Sequence, residues 1–308
     1  MKRETLAVRW KKEWARHRIL YFMAIPLILY YALFHYGPMY GIVMAFQDYK
    51  IVKGIGGSEF IGLDNFVKFF SSSQCWRLIR NTLIISIQSI VFAFPAPLIL
   101  ALMLNEVKSK RFKRIAQTLT YLPHFISLVV VCGMLRQFLA RDGFITTLLS
   151  SIGLVDNVNL LGIREYFRTI FITSGIWQEV GWGTIIYLAA LSGIDEQLYE
   201  AAMIDGANRW KRILHITIPS ITPTIIMMLI LRLGQVMSVG FEKIILLYNP
   251  QTYETADVLS SYIYRYGLGG SFEYGYTTAI GLFASVINLV LVISANKISK
   301  KVSETSLW

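Results

Sequence analysis

Charge is what this sequence has least of. Only 16% of its 308 residues are charged, while 55% are hydrophobic and the mean hydropathy is +0.51. Ordinary soluble domains carry about 25% charge, so one or two soluble domains are excluded and a polytopic membrane protein is expected. Cysteine is nearly absent: Cys75 in a loop and Cys132 in an apolar run offer neither a disulfide framework nor metal-ligand spacing. The four histidines, His17, His35, His124 and His215, are scattered, which argues against a metal cluster or a His-centred catalytic set. No nucleophile-and-base pair supports an intramembrane enzyme. No Gly-x-x-x-x-Gly-Lys-Ser/Thr stretch is present, so any ATP hydrolysis belongs to another polypeptide.

What is present is lipid-compatible sequence. Six apolar runs cover about 19–44, 82–104, 118–139, 169–191, 221–247 and 277–295. The first follows the basic segment "KRETLAVRWKKEWARHR" with no small-residue cleavage site, so it reads as a retained span. The net charge of +11 would suit nucleic acid, but its distribution points elsewhere. Eighteen of the 30 lysines and arginines fall on one side: residues 1–18, the loop "NEVKSKRFKR", Arg209 with Lys211 and Arg212, and Lys297, Lys300 and Lys301. The positive-inside rule makes that side cytoplasmic. The expected architecture is an all-α membrane protein with six transmembrane helices and both termini inside. It comprises a basic segment 1–18, a membrane domain 19–295 (core about 77–295) with a loop 192–220, and a tail 296–308. The excess charge then serves topology and lipid head groups rather than nucleic acid.

Within that loop, residues 200–219 read "EAAMIDGANRWKRILHITIP". Asp195 and Glu196 favour a helix start, Gly206 allows a left-handed stop, and a second helix begins near Asn208 with Trp210, Ile213 and Leu214 on one side. Two short helices meeting at a glycine form an elbow. By physics alone it is either a handle for a partner or an amphipathic element resting on the bilayer.

Intramembrane polar residues mark the other region of interest, because they usually face a cavity or a neighbouring helix. The fourth run holds Gln178, Glu179 and Trp182. An indole packs on the C–H face of a sugar while amide and carboxylate take its hydroxyls; helix packing and interfacial anchoring are the alternative. In the fifth run Gln235, Ser238 and Glu242 fall at i, i+3 and i+7, beside Phe241, and so are expected on one helical face. Arg232 and Arg136 suit local pairing and snorkelling. The tyrosine-dense stretch "YNPQTYETADVLSSYIYRYGLGGSFEYGY" suits an outer interface belt or a contact with a partner.

The stretch 200–219 resembles the coupling-loop signature of ABC importer permeases: Glu-Ala-Ala, a glycine four residues on, and Ile-x-x-Pro or Leu-Pro near the end. Glu200, Ala201, Ala202, Asp205, Gly206 and Pro219 fit it, and Ile218 replaces the common leucine. "IPLILYYALFHYGPMYGIVMAFQDY", "FIGLDNFVKFF", "RIAQTLTYLPHFIS" and "GFEKIILLYNPQTYETADVLSSYIYRYGL" extend the resemblance, to the maltose-type branch that imports oligosaccharides and polysaccharide fragments. It implies a type I importer permease fold, an alternating-access cycle, and no cofactor on this chain. The implied partners are a second homologous permease forming a heterodimer, two ATPase subunits using ATP and Mg, and an extracellular sugar-binding protein. Glu200, Ala201, Ala202, Asp205, Gly206, Arg209 and Pro219 would then couple to the ATPase. Gln178, Glu179, Trp182, Gln235, Ser238, Phe241 and Glu242 would line the sugar path. An ATP-independent channel or facilitator for small solutes is the alternative; it would not require the elbow. Pectin fragments, alginate-like acidic oligomers and host-glycan fragments all suit the branch.

Overall fold

In the computed structural model, residues 6–303 are described, and nearly all regular structure is helical. Two compact units are distinguished. The first is residues 6–68 with Glu273–Ala279; the second is Phe69–Phe272 with 280–303.

The first unit begins with α1, Leu6–Tyr31, which continues through irregular helix to Phe46. The span Arg16–Phe46 is apolar, and none of its most apolar window is buried within the chain. A two-residue antiparallel pair follows: β1, Gln47–Asp48, with β2, Glu59–Phe60. Asn65 holds this turn by donating Nδ2 to the carbonyls of Ala45 and Gln47, each at 3.0 Å. Lys68 Nζ pairs with Glu273 at 2.5 Å.

The second unit runs from the end of α2, Asp64–Phe70, through α3, Cys75–Gln88, and α4, Pro95–Asn105. Next come α5, Lys110–Tyr121; α6, Leu128–Phe138; α7, Phe144–Ser151; and the 29-residue α8, Arg164–Ser192. The elbow helices are α9, Glu196–Ile204, and α10, Arg209–Arg212. They lead into α11, Ile218–Leu233, then α12, Phe241–Leu247, α13, Leu259–Gly267, and α14, Tyr274–Ser303. One core packs Ile85, Cys132, Phe167, Phe171, Val239, Ile244 and Leu247 together. A second packs Ala101, Tyr187, Leu191 and Ile221, joining α4, α8 and α11.

Among the described residues four helices are long and apolar enough to cross a membrane: Arg16–Phe46, Cys75–Asn105, Arg209–Leu233 and Tyr274–Lys301. A fifth candidate, Lys110–Phe125 with Leu128–Phe138, bends by 96°, so the expected third run is not one straight helix. Ile126 is extended there, and Ser127 caps the new helix by accepting from Val130 N at 3.3 Å. The fifth run is broken as well. Gly240, at φ +58°, lies in the left-handed region between α11 and α12. The freed backbone groups find partners, as buried backbone requires. Met237 N donates to Asn288 Oδ1 at 2.9 Å, and Ser86 Oγ donates to Val236 O at 2.5 Å.

Among the described residues three five-residue π segments occur, Ala32–Tyr36, Ser89–Ala93 and Ile213–Thr217. Each ends two residues before a proline: Pro38, Pro95 and Pro219. A proline ring clashes with the carbonyl four residues back and offers no N–H, which disfavours the ordinary ladder. In all three the residue before the proline bonds five residues back, as Gly37 to Ala32, Phe94 to Ser89 and Ile218 to Ile213.

The tyrosine-dense stretch is a folded cap. Buried Asp257 accepts from Arg265 Nη2 at 2.7 Å and from Ser261 Oγ at 2.8 Å, and lies 3.7 Å from Arg77. Burial pulls the Arg265 guanidinium down, but the hydrogen bond and charge of Asp257 outweigh it and hold it above its ordinary value. Asn81 Nδ2 donates to the carbonyls of Glu254 and Asp257, both at 2.9 Å, tying the cap to α3.

Candidate functional site

Two places carry the residues of interest. The first is the elbow. Asp195 caps α9 by accepting from Gln197 N at 2.9 Å, and Asn208 caps α10 by accepting from Lys211 N at 2.9 Å. Between them Gly206 takes φ +74°, with Ala207 N bonded to Ala202 O at 2.8 Å, a left-handed helix stop. The helix after the elbow runs on from Arg209 to Leu233 through the π segment and past Pro219. Helix α9 has no buried residue, and Glu200, Ala201, Asp205 and Gly206 are exposed. So are Ile204, at 87%, and Trp210, at 72%. Arg209 is engaged: its Nε pairs with Glu106, and its Nη2 donates to the Glu106 carbonyl at 2.9 Å. Tyr199 Oη lies 2.9 Å from Thr217 Oγ1.

The second place is a cavity of about 390 Å³ between the middle of α8 and the start of α12. Its lining includes Phe171, Gln178, Glu179, Phe241, Glu242 and Lys243. Four of the seven expected path residues therefore meet there. Gln178 is buried and donates to Ile126 O at 3.3 Å. Glu179 Oε2 lies 2.9 Å from His124 Nδ1. His124 in turn stacks on Trp182 at 4.3 Å and 4°, which brings Trp182 to the same neighbourhood. Lys243, largely buried, donates Nζ to the Phe171 carbonyl at 3.2 Å.

The other two path residues lie elsewhere. The helix break separates Gln235 and Ser238 from Glu242, so the three do not share a helical face. Gln235 lines a small cleft with Arg232 and Ser86, and Ser238 Oγ accepts from Asn288 Nδ2 at 3.2 Å. Arg136 donates to the Leu246 carbonyl. Sequence reasoning missed His124 and Lys243. A lysine inside an apolar run was a usable signal for the latter. The 55-residue separation of His124 from Glu179 left none for the former.

Residues 93–304 match the family described as "Binding-protein-dependent transport system inner membrane component", and the chain belongs to that family. It is thus a multi-pass component of the cell membrane and a transport permease, not an enzyme. Among its relatives, Protein LplB of Bacillus subtilis (strain 168) is 42% identical over 302 residues, 98% of this chain and 94% of that one. The polygalacturonan/rhamnogalacturonan transport system permease protein YteP of the same organism is 42% identical over 294 residues, 95% and 91% of the two chains. A solved chain from a bacterial alginate ABC transporter, in complex with an alginate pentasaccharide-bound periplasmic protein, superposes with a TM-score of 0.88. It is 47% identical, covering 96% of this chain and 99% of that one. The fold is that of a type I ABC importer permease.

Proposed function

We propose that this permease imports oligosaccharides by alternating access, driven by separate ATPase subunits that grip the elbow at 195–219. The observation that carries this reading is the elbow itself: two capped helices with a left-handed glycine joint, α9 wholly unburied, and Ile204 and Trp210 bare. A lone chain gains nothing by exposing these apolar groups, whereas a docked partner buries them. In this reading Glu200, Ala201, Ala202, Asp205 and Gly206 enter the partner, and Pro219 follows on the helix leading into the membrane. The chain crosses the membrane six times, counting α8 and the bent pair, with both termini cytoplasmic. It pairs with a second homologous permease and two ATPase subunits that use ATP and Mg. An extracellular sugar-binding protein delivers the substrate, and this chain itself holds no cofactor.

The substrate class we infer is uronate-containing oligosaccharide. Relatives named for polygalacturonan/rhamnogalacturonan and for alginate support it. So does Lys243, a cation placed beside the amide of Gln178 and the ring of Phe241 in a cavity that Glu242 and the His124-paired Glu179 also line. Reconstituted with its partners in proteoliposomes, Gly206→Pro or Glu200→Lys should abolish transport-coupled ATP hydrolysis while the protein stays in the membrane. Normal coupling in both variants would sink the elbow assignment.

A further inference from the structure

The loop "NEVKSKRFKR" contains a single acidic residue, Glu106, among five cations. Its nearby lysines and arginines could neutralise it locally. Instead its carboxylate pairs with Arg209, 103 positions away, at the first residue after the Asn208 cap. The same guanidinium donates through Nη2 to the Glu106 backbone carbonyl at 2.9 Å. Glu106 is the C-cap of α4, so that carbonyl belongs to the last turn, whose acceptors lack partners within the helix. One planar fork thus holds both a side chain and a helix end, which fixes direction as well as proximity.

What lies on either side gives the contact its meaning. On one side, α9 is fastened to the helix 209–233 by Tyr199 Oη against Thr217 Oγ1 at 2.9 Å. On the other, α4 shares a core with α8 and α11 through Ala101, Tyr187, Leu191 and Ile221. Helix α8 carries Gln178 and Glu179 into the cavity. A continuous series of contacts therefore leads from the elbow to the cavity wall, and Glu106–Arg209 is its junction with α4.

We propose that the Glu106–Arg209 pair is the strut through which movement of the elbow is passed to α4 and α8, making Glu106 a positioning residue for energy coupling. The inference rests on the coupling role proposed above for the elbow. Arg209 then acts within this chain rather than against the ATPase surface. The pair is partly exposed, and such pairs add little to stability. Its removal should therefore change coupling without changing the thermal midpoint.

The test uses the complete transporter, both permeases with ATPase subunits and sugar-binding protein, in proteoliposomes. It compares wild type with Glu106→Gln, Arg209→Gln, the exchange Glu106→Arg/Arg209→Glu, and Gly206→Pro. Sugar imported per ATP hydrolysed is measured together with KM for ATP and co-purification of the ATPase. Each single strut variant should lower the transport ratio by about threefold or more, and the exchange, which remakes the side-chain pair but not the bond to the backbone carbonyl, should recover part of it, as expected for directly interacting residues. KM for ATP and co-purification should stay as in wild type. A normal ratio in Glu106→Gln alongside a collapsed ratio in Gly206→Pro would overturn the strut and leave the elbow reading standing. Normal ratios in both would overturn the two together. A charge exchange that recovers nothing would also overturn the strut, reducing the two losses to separate local damage.

Discussion

Lys243, within the expected fifth apolar run, donates its hydrogen bond to a backbone carbonyl, that of Phe171. Glu179 faces the same cavity but is paired with His124. The ammonium therefore retains donor capacity, with three hydrogens and one assigned acceptor. A uronate carboxylate entering the cavity would complete that set. Lys243→Gln keeps a donor but removes the charge. Charge-assisted hydrogen bonds are roughly twice as strong as neutral ones. Import of an oligogalacturonate should then fall about tenfold relative to a neutral oligosaccharide of equal length, a loss of about 1.4 kcal/mol, measured by competition in proteoliposomes. Equal losses for both sugars would assign Lys243 to packing instead. This residue was legible in the sequence as a charge inside an apolar run. Its destination was not, because the break at Gly240 turns α12 toward α8, and no helical period carries across a left-handed residue.

At the scale of elements, the outer cap shows how local pattern and tertiary role part company. The seven tyrosines between 248 and 276 suit an interface belt or a partner contact, and within the cap Tyr262 is buried and Arg265 lies over the rings of Tyr253 and Tyr262 at 4.6 and 5.7 Å. The cap folds around Asp257, whose carboxylate is fully buried between Arg265 and Arg77. Removing one partner of a buried pair usually costs about 3–5 kcal/mol. The arginines here are partly exposed and can rehydrate, so Asp257→Ala should cost about 2 kcal/mol. The midpoint of thermal unfolding in detergent would drop by several degrees, and protease would cut first within 250–270. The elbow was far more legible than the cap. Asp195, Gly206 and Asn208 are short-range signals whose meaning is set within a few residues, and all three do as their chemistry directs. The cap depends on Asn81 and Arg77 meeting Asp257, which lies more than 170 positions further along the chain.

For the whole molecule, composition settled the class, since a chain this apolar and this poor in charge has few soluble solutions. The runs foretold the long helices well, with two exceptions, the 96° bend after Pro123 and the interruption at 234–240. Both depend on backbone partners supplied from elsewhere, and a hydropathy window does not register them. The three π segments raise a different matter, the tolerance of these helices to changes in length. A π turn is equivalent to one residue inserted in an α-helix. Deleting one residue between 213 and 217 should therefore close the ladder, provided Pro219 is also changed to Ala so that the missing N–H is restored. Flanking faces would keep their orientation. A single deletion in the middle of α8 has no such slack and would turn every later side chain by about 100°. Surface expression and ATPase co-purification of the two deletion variants should differ accordingly, the first retained and the second lost. Length variation among relatives of this permease is therefore expected to gather just ahead of these prolines, where the backbone already holds a spare residue.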